Sequence, residues 1–390
     1  MIIESIGIGI SLVVVILIAW GGLEWTHRRR QGNALEALPG SWHLERQEPQ
    51  HYQLVGKQSF LNPTHKLEVM IPELSAEVTL LSKGSLDEIQ HTVKVVPQHP
   101  DAEPRPDGYW FAYIVKSGYQ TAAQICLDIT GPDLTQLKAV WVRIHYITYG
   151  PKGRIHHTHH EVVPLRFPDP QQPMAWRPVP GGQVLPVPTH LLTQLDTCPD
   201  IVQKYVSPHA QKGDIVTIGE TPVAIMQGRI FHPSTIQPGW VATRLAYFFL
   251  PTSSLATACG LQTLVNIEGP VRVFLAFAVG AISKVFGQAG MFYRLAGEQA
   301  RLIDDVTGTL PPFDQFIVLG PDDPQAVVNQ IQAETGLAAA IVDVNDLKRV
   351  KILAATKEAP LPLIEEALRN NPAGNADEQT PVVLIRPSNA

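Results

Sequence analysis

Residues 323–343 read DPQAVVNQIQAETGLAAAIVD, and the punctuation of that stretch sets the fold of the second half of the chain. Asp323 is placed to cap a helix, and Pro324 follows where a missing N–H costs nothing. Val327, Val328 and Ile331 then share one face, and Gly336 stands where a left-handed residue ends the helix. The apolar run 339–342 predicts a buried strand, which delivers Asp343, Asn345 and Asp346 to its carboxyl end. Working outward, residues 214–218, 223–226, 316–319, 350–354 and 382–385 read as further strands. Residues 237–250, 271–286 and 363–369 read as helices. The apolar stretch 273–282 lies between Arg272 and Lys284, too short to span a bilayer, and is expected in the core.

The first half has a different texture. Short β-branched and aromatic runs at 66–71, 76–81, 91–96, 109–115, 124–129 and 139–149 are separated by Asn, Gly and Pro turns, with no helical period between them. That spacing predicts an all-β sandwich of immunoglobulin-like size over residues 50–168. Within 139–149, Val140, Val142, Ile144 and Tyr146 alternate with Trp141, Arg143 and His145, as on a half-buried strand. Eight prolines between Pro164 and Pro188, with Gly181 and Gly182, favour extended backbone. Residues 169–183 are therefore expected as a linker, with an α+β domain over 184–390.

Ahead of the sandwich, residues 5–23 carry no charge and are rich in Ile, Val and Leu, which predicts one transmembrane helix. Trp20 and Trp25 sit where an aromatic belt belongs. Arg28, Arg29 and Arg30 follow at once, so the positive-inside rule places the later domains in the cytoplasm of a single-pass membrane protein. A cleaved leader would need positive charge before the apolar run, and only Glu4 stands there. Residues 1–30 are expected as the anchor and 31–49 as a polar tether.

Across 390 residues, 45% are hydrophobic and 17% charged, a balance that buries large cores and excludes a mostly disordered chain. Thirty basic residues against 36 acidic ones give a net charge of −6, which excludes a general basic field for nucleic acid. Cys126, Cys198 and Cys259 are odd in number and far apart, so no disulfide framework is expected.

Chemistry is expected where acids meet strand ends. Asp343 and Asp346 supply oxygens suited to Mg²⁺ or Mn²⁺, and Asn345 stands beside them. Asp304 and Asp305 form a second acidic pair ahead of Thr307, Gly308 and Thr309, whose amides and hydroxyls suit phosphate oxygens. Each aspartate alone is better explained by a loop or a helix cap. Arg229 after Gly228 offers a cation for a phosphate. His156, His157, His159 and His160 alternate between faces of a strand and read as solvated edge residues. The sequence has no P-loop, no G-x-G-x-x-G and no G-x-S-x-G.

Several of these stretches, in order, resemble the coenzyme F(420) γ-glutamyl ligase family. Gly213-Asp214-Ile215-Val216 through Gly228-Arg229 is similar to the family's opening segment that ends in E-G-R, and Val318 to Pro324 to its L-L-P-x-D-P. Ala340-Ile341-Val342-Asp343 resembles I-I-T-D with its metal aspartate, and Asp304 or Asp305 falls at the aspartate of N-A-G-x-D. Thr380 to Arg386 resembles the last strand. The resemblance implies GTP or ATP with Mg²⁺ or Mn²⁺, addition of an amino acid to an acceptor, and a homodimer. The departures are specific: Thr221 and Ile225 stand where the family has lysines, Gln227 where it has glutamate, and Arg301-Leu302-Ile303 replaces N-A-G. Two readings follow. One is a nucleotide-dependent ligase acting on an unknown acceptor. The other is a non-catalytic, membrane-tethered scaffold or sensor for a small molecule or protein partner.

Overall fold

The computed structural model describes residues 15–24, 26, 32–288, 290–305, 310–344, 349–374 and 378–388, without the side chain of Asp305. Most of the expected span, 5–23, and all of Arg28–Arg30 lie outside these residues. What is described there is one apolar helix, α1 (Val15–Glu24). Among the described residues no single helix is long and apolar enough to cross a membrane.

The sandwich forms from alternating runs, as their period requires. One sheet contains β1 (Glu36–Ala37), β2 (Ser41–Glu48) and β3 (His51–Leu61); the other opens with β4 (Val69–Ile71) and β5 (Leu74–Ser82). β6 (Gln90–Gln98) and β8 join the first sheet, whereas β7 (Tyr113–Val115), β9 and β10 join the second. Here β8 is Gln120–Thr130, β9 Leu137–Gly150 and β10 Gly153–Pro164. All pairings are antiparallel. Val140, Val142, Ile144 and Tyr146 of β9 enter the core beside Leu54, Ile125 and Leu127, which are fully buried.

The stretch 31–49 is not a free tether. Ser41 to Glu48 pairs along β3, and buried Asn33 donates from Nδ2 to the Gly153 carbonyl at 2.6 Å while its Oδ1 accepts from the Lys152 amide at 3.1 Å. Polar composition hid this because β2 faces solvent on one side and is largely exposed. The proline-rich stretch is likewise partly folded. β11 (Arg177–Val179) and β12 (Gly182–Val187) form a hairpin, and Trp176 lies under the Arg386 guanidinium, 4.1 Å from the ring centroid. Pro178 sits on an edge strand and Pro186 beyond the part of β12 that pairs with β11, the places where a sheet tolerates proline.

The second half is a mixed α/β region. α2 (Cys198–Ile201) runs into a π-helical turn, and β13 (Ile215–Gly219) leads to α3 (Glu220–Met226). β14 (Ile230–Phe231) precedes a helical segment of α4 (Trp240–Leu245), α5 (Ala258–Glu268), α6 (Pro270–Val285) and α7 (Met291–Leu295). β15 (Asp304–Asp305), β16 (Ile317–Val318), α8 (Pro324–Thr335), β17 (Ala338–Val344), β18 (Val350–Ala355), α9 (Leu361–Leu368) and β19 (Val382–Pro387) complete it. The main sheet has the order β11-β12-β19-β13-β17-β18, with β13 and β17 parallel and the other pairs antiparallel. β14, β16 and β15 form a small second sheet.

α8 is built as its punctuation predicts. Asp323 accepts from the Ala326 amide at 3.1 Å, Val328 and Ile331 are fully buried, and Gly336 closes the helix at φ 75°. Two expectations for the second half fail. Residues 223–226 belong to helix α3, not to a strand, because a four-residue apolar run carries no period of its own and here all four side chains are buried. α6 is not a core helix, since only Val273 and Ala276 are buried and its other face is open.

Candidate functional site

The register of the parallel pair builds the site. Ile218 stands beside Ile341 and Gly219 beside Val342, so the next residues, Glu220 and Asp343, emerge together at the carboxyl ends of β13 and β17. Strand ends of this kind are where open α/β sheets bind ligands. Gly219 anchors the turn through its amide to the Pro381 carbonyl at 3.2 Å, and Glu220 begins α3. β15, held to β16 by the pair Asp304 and Val318, brings in a third carboxylate.

Glu220, Asp304 and Asp343 line one cavity of about 410 Å³. Its walls add the hydroxyls of Thr189, Thr221 and Thr380 and apolar surface from Leu191, Ile225 and Phe313. Among the described residues, no lysine or arginine lines it. Crowding of like charges is visible in the proton affinities. Burial, with Asp343 and Asp304 adding repulsion, pushes the Glu220 carboxyl up to about 8, and Lys351 on β18 only partly opposes this. Asp304 exposes part of its surface to the cavity, yet the protein around it and then Asp343 raise its carboxyl above the usual range. Glu220 Oε2 is buried and accepts no hydrogen bond.

That donor set has the hard, oxygen-only chemistry that Mg²⁺ and Mn²⁺ take, and a cation would relieve both the repulsion and the unpaired oxygen. As the side chains stand, no group of three or more His, Cys, Asp or Glu among the described residues is arranged to hold a metal ion.

The structure thus brings Asp343 and Asp304 together. Thr307, Thr309, Asn345 and Asp346 lie outside the described residues, as does the Asp305 side chain. Arg229 does not line the cavity: its Nε donates to the Gly320 carbonyl at 2.7 Å and Nη1 stands 3.8 Å from Asp322. Thr221 and Ile225, one turn apart on α3, both face the cavity. Sequence reasoning missed Glu220, although its place one residue after a buried strand was a usable signal. It also missed His190, a cavity wall residue whose buried ring bonds the Tyr205 hydroxyl at 2.8 Å and Asp196 at 2.9 Å. No local motif joins those three residues.

The histidines of β10 are not simply solvated. His157 stacks on Tyr146 and meets Thr148 Oγ1 at 2.8 Å, and His159 meets buried Glu161 at 2.8 Å. His160 belongs to a contact between the sandwich and the second half. There Trp141 and Val162 pack with Leu191, Ile225, Phe313 and Phe316, three of which also line the cavity.

A family model described as the N-terminal Ig-like domain of F420-0:gamma-glutamyl ligase matches residues 36–167. No curated protein matches the chain. Among solved structures, the GAE domain of GGA2p from Saccharomyces cerevisiae is 9% identical, over 34% of this chain and 98% of that chain, with a TM-score of 0.21. A protein from Archaeoglobus fulgidus is also 9% identical over the same shares, with a TM-score of 0.20. Likenesses at those scores say nothing further about the chain. The family match covers the sandwich, residues 36–167, and is a likeness of that domain.

Proposed function

We propose that the chain is a membrane-tethered binding protein derived from a γ-glutamyl-ligase frame, whose cavity takes a divalent cation together with a small ligand. The observation that carries this reading is the convergence of Glu220, Asp304 and Asp343 in a cavity that, among the described residues, no lysine or arginine lines. Three carboxylates that Lys351 on β18 only partly offsets favour a positively charged occupant. Mg²⁺ or Mn²⁺ held by Asp343 and Asp304, with Glu220 beside them, would supply a Lewis acid for anionic groups of the ligand. The tether rests on the uncharged apolar run 5–23 and the arginines after it.

Catalysis is the second reading, favoured by the placement of Asp343 at the end of a parallel strand and by the Ig-like match. Thr221 and Ile225 weigh against it. Both face the cavity and neither neutralises phosphate, and Arg229 is occupied elsewhere. A lost charge-assisted contact costs about 1.5–3 kcal/mol, so two lost contacts weaken nucleotide binding by roughly two to four powers of ten. Calorimetry of the full chain with GTP and with ATP, with and without Mn²⁺, separates the readings. Binding no tighter than the high micromolar range fits the binding protein. Tight metal-dependent binding with glutamate-stimulated phosphate release makes it a ligase.

A further inference from the structure

α6 carries apolar side chains all round, with Arg272, Ser283 and Lys284 its only polar ones. Val273 and Ala276 pack inward, whereas Val271, Leu275, Val279, Ile282 and Phe286 recur at helical spacing on the open side, Val271 and Phe286 being 70% and 80% exposed. The open face continues onto α4 and the turn after it. Trp240 meets Phe274 at 6.2 Å and Phe248 meets Phe277 at 5.4 Å between ring centroids, and Tyr247 is 88% exposed. A helix apolar on every side is stable only where something other than water covers its outer face, and a contiguous patch of this kind marks an interaction surface.

Charge selects the occupant. Between His232 and Ile303 there are five basic residues, Arg244, Arg272, Lys284, Arg294 and Arg301, against Glu268 and Glu298, in a chain whose net charge is −6. Arg244 on α4, Lys284 on α6 and Arg294 on α7 are exposed. Two copies of this chain meeting through a two-fold axis would set the same cations against one another, which costs affinity. Anionic lipid headgroups complement them, and exposed Trp, Tyr and Phe suit the boundary between headgroups and acyl chains. We propose that the open face of α6, with Trp240, Tyr247 and Phe248, docks flat on an anionic bilayer surface, a second contact that rests on the tether of residues 5–23 to bring it there. The cavity would then be held at a fixed distance from the membrane.

The test uses the full chain reconstituted in vesicles of phosphatidylcholine and phosphatidylglycerol, with a phosphatidylglycerol that carries a photoreactive diazirine in its acyl chain. Adducts are mapped by mass spectrometry. Lipid adducts in residues 240–250 and 271–286 are expected, and the exposed-site double variant Val279→Asp with Ile282→Asp should lose them at least about fivefold while keeping those in residues 1–26. Adducts confined to residues 1–26 overturn the docking and leave the tether standing. Adducts in α6 without any in 1–26 sustain the docking and overturn the tether. Links between α6 of two copies in place of lipid adducts show a dimer face instead and overturn the proposal.

Discussion

His160 of the sandwich and His232 of the second half stack face on, their ring centroids 4.7 Å apart and their planes within 22°. Trp141 Nε1 donates to His160 Nδ1 at 3.2 Å, so the His160 proton sits on Nε2, which is buried and has no partner. The pair sits on the contact whose other side is the cavity wall at Leu191, Ile225 and Phe313.

Acid should loosen that contact. Burial first, then the repulsion of His232, His159, Arg143 and His145, pushes His160 down to about 3, and burial with Arg143 also lowers His232. Both rings are neutral in the fold and near 6.5 when unfolded, so the unfolded chain binds the extra protons. Their contribution is full above about pH 6.5 and is lost as pH falls from there toward 3. Urea unfolding of the full chain at pH 7 and pH 5 should show a loss of stability that His160→Phe reduces. An equal loss in the variant would assign the effect elsewhere.

Gly280 marks the inner face of α6. A Cβ there would stand 2.9 Å from Phe292 Cβ and 3.0 Å from the Phe292 amide nitrogen, a contact with backbone that cannot swing aside. Gly280→Ala should therefore cost about 1–3 kcal/mol in urea unfolding by overpacking, although alanine is the better helix former. Ligand binding in the cavity should not change, because Gly280 does not line it.

Glu220 is held against its own charge. Its carboxyl is raised in the fold, so the folded chain keeps a proton that the unfolded chain releases, and stability falls as pH rises from about 4.5 through 8. Glu220→Gln removes that penalty. The variant should be more stable than the natural chain at pH 8.5 by on the order of 1–2 kcal/mol, well under the full equivalent of the shift because water enters the cavity. The difference should vanish near pH 4.5. A variant less stable at every pH would contradict the account of the crowded carboxylates.

How much of this was legible depended on whether a local signal existed. α8 and β17 were readable because cap, face and stop all lie within 21 consecutive residues, and the fold obeys them. The sandwich strands with hydrophobic alternation were readable too, while exposed β2 carries almost no buried side chains and left no pattern. Asp343 was predicted from its place after a strand. Glu220 escaped because the adjacent run 223–226 was read as strand, which hid the strand-to-helix turn that positions it. The contact of His160 with His232 joins residues far apart in the chain, and nothing in either neighbourhood announces the other.

Thermal unfolding of the full chain with and without Mn²⁺ asks whether Asp343 and its neighbours hold a divalent cation as proposed. Saturating Mn²⁺, at about a hundred times its dissociation constant, should stabilise the natural chain by about 2.7 kcal/mol, more at pH 8 than at pH 6 because protons compete for Glu220. Asp343→Asn should unfold normally without metal and show no Mn²⁺ response. A natural chain indifferent to Mn²⁺ and Mg²⁺, or an Asp343→Asn chain that responds as fully, would contradict it.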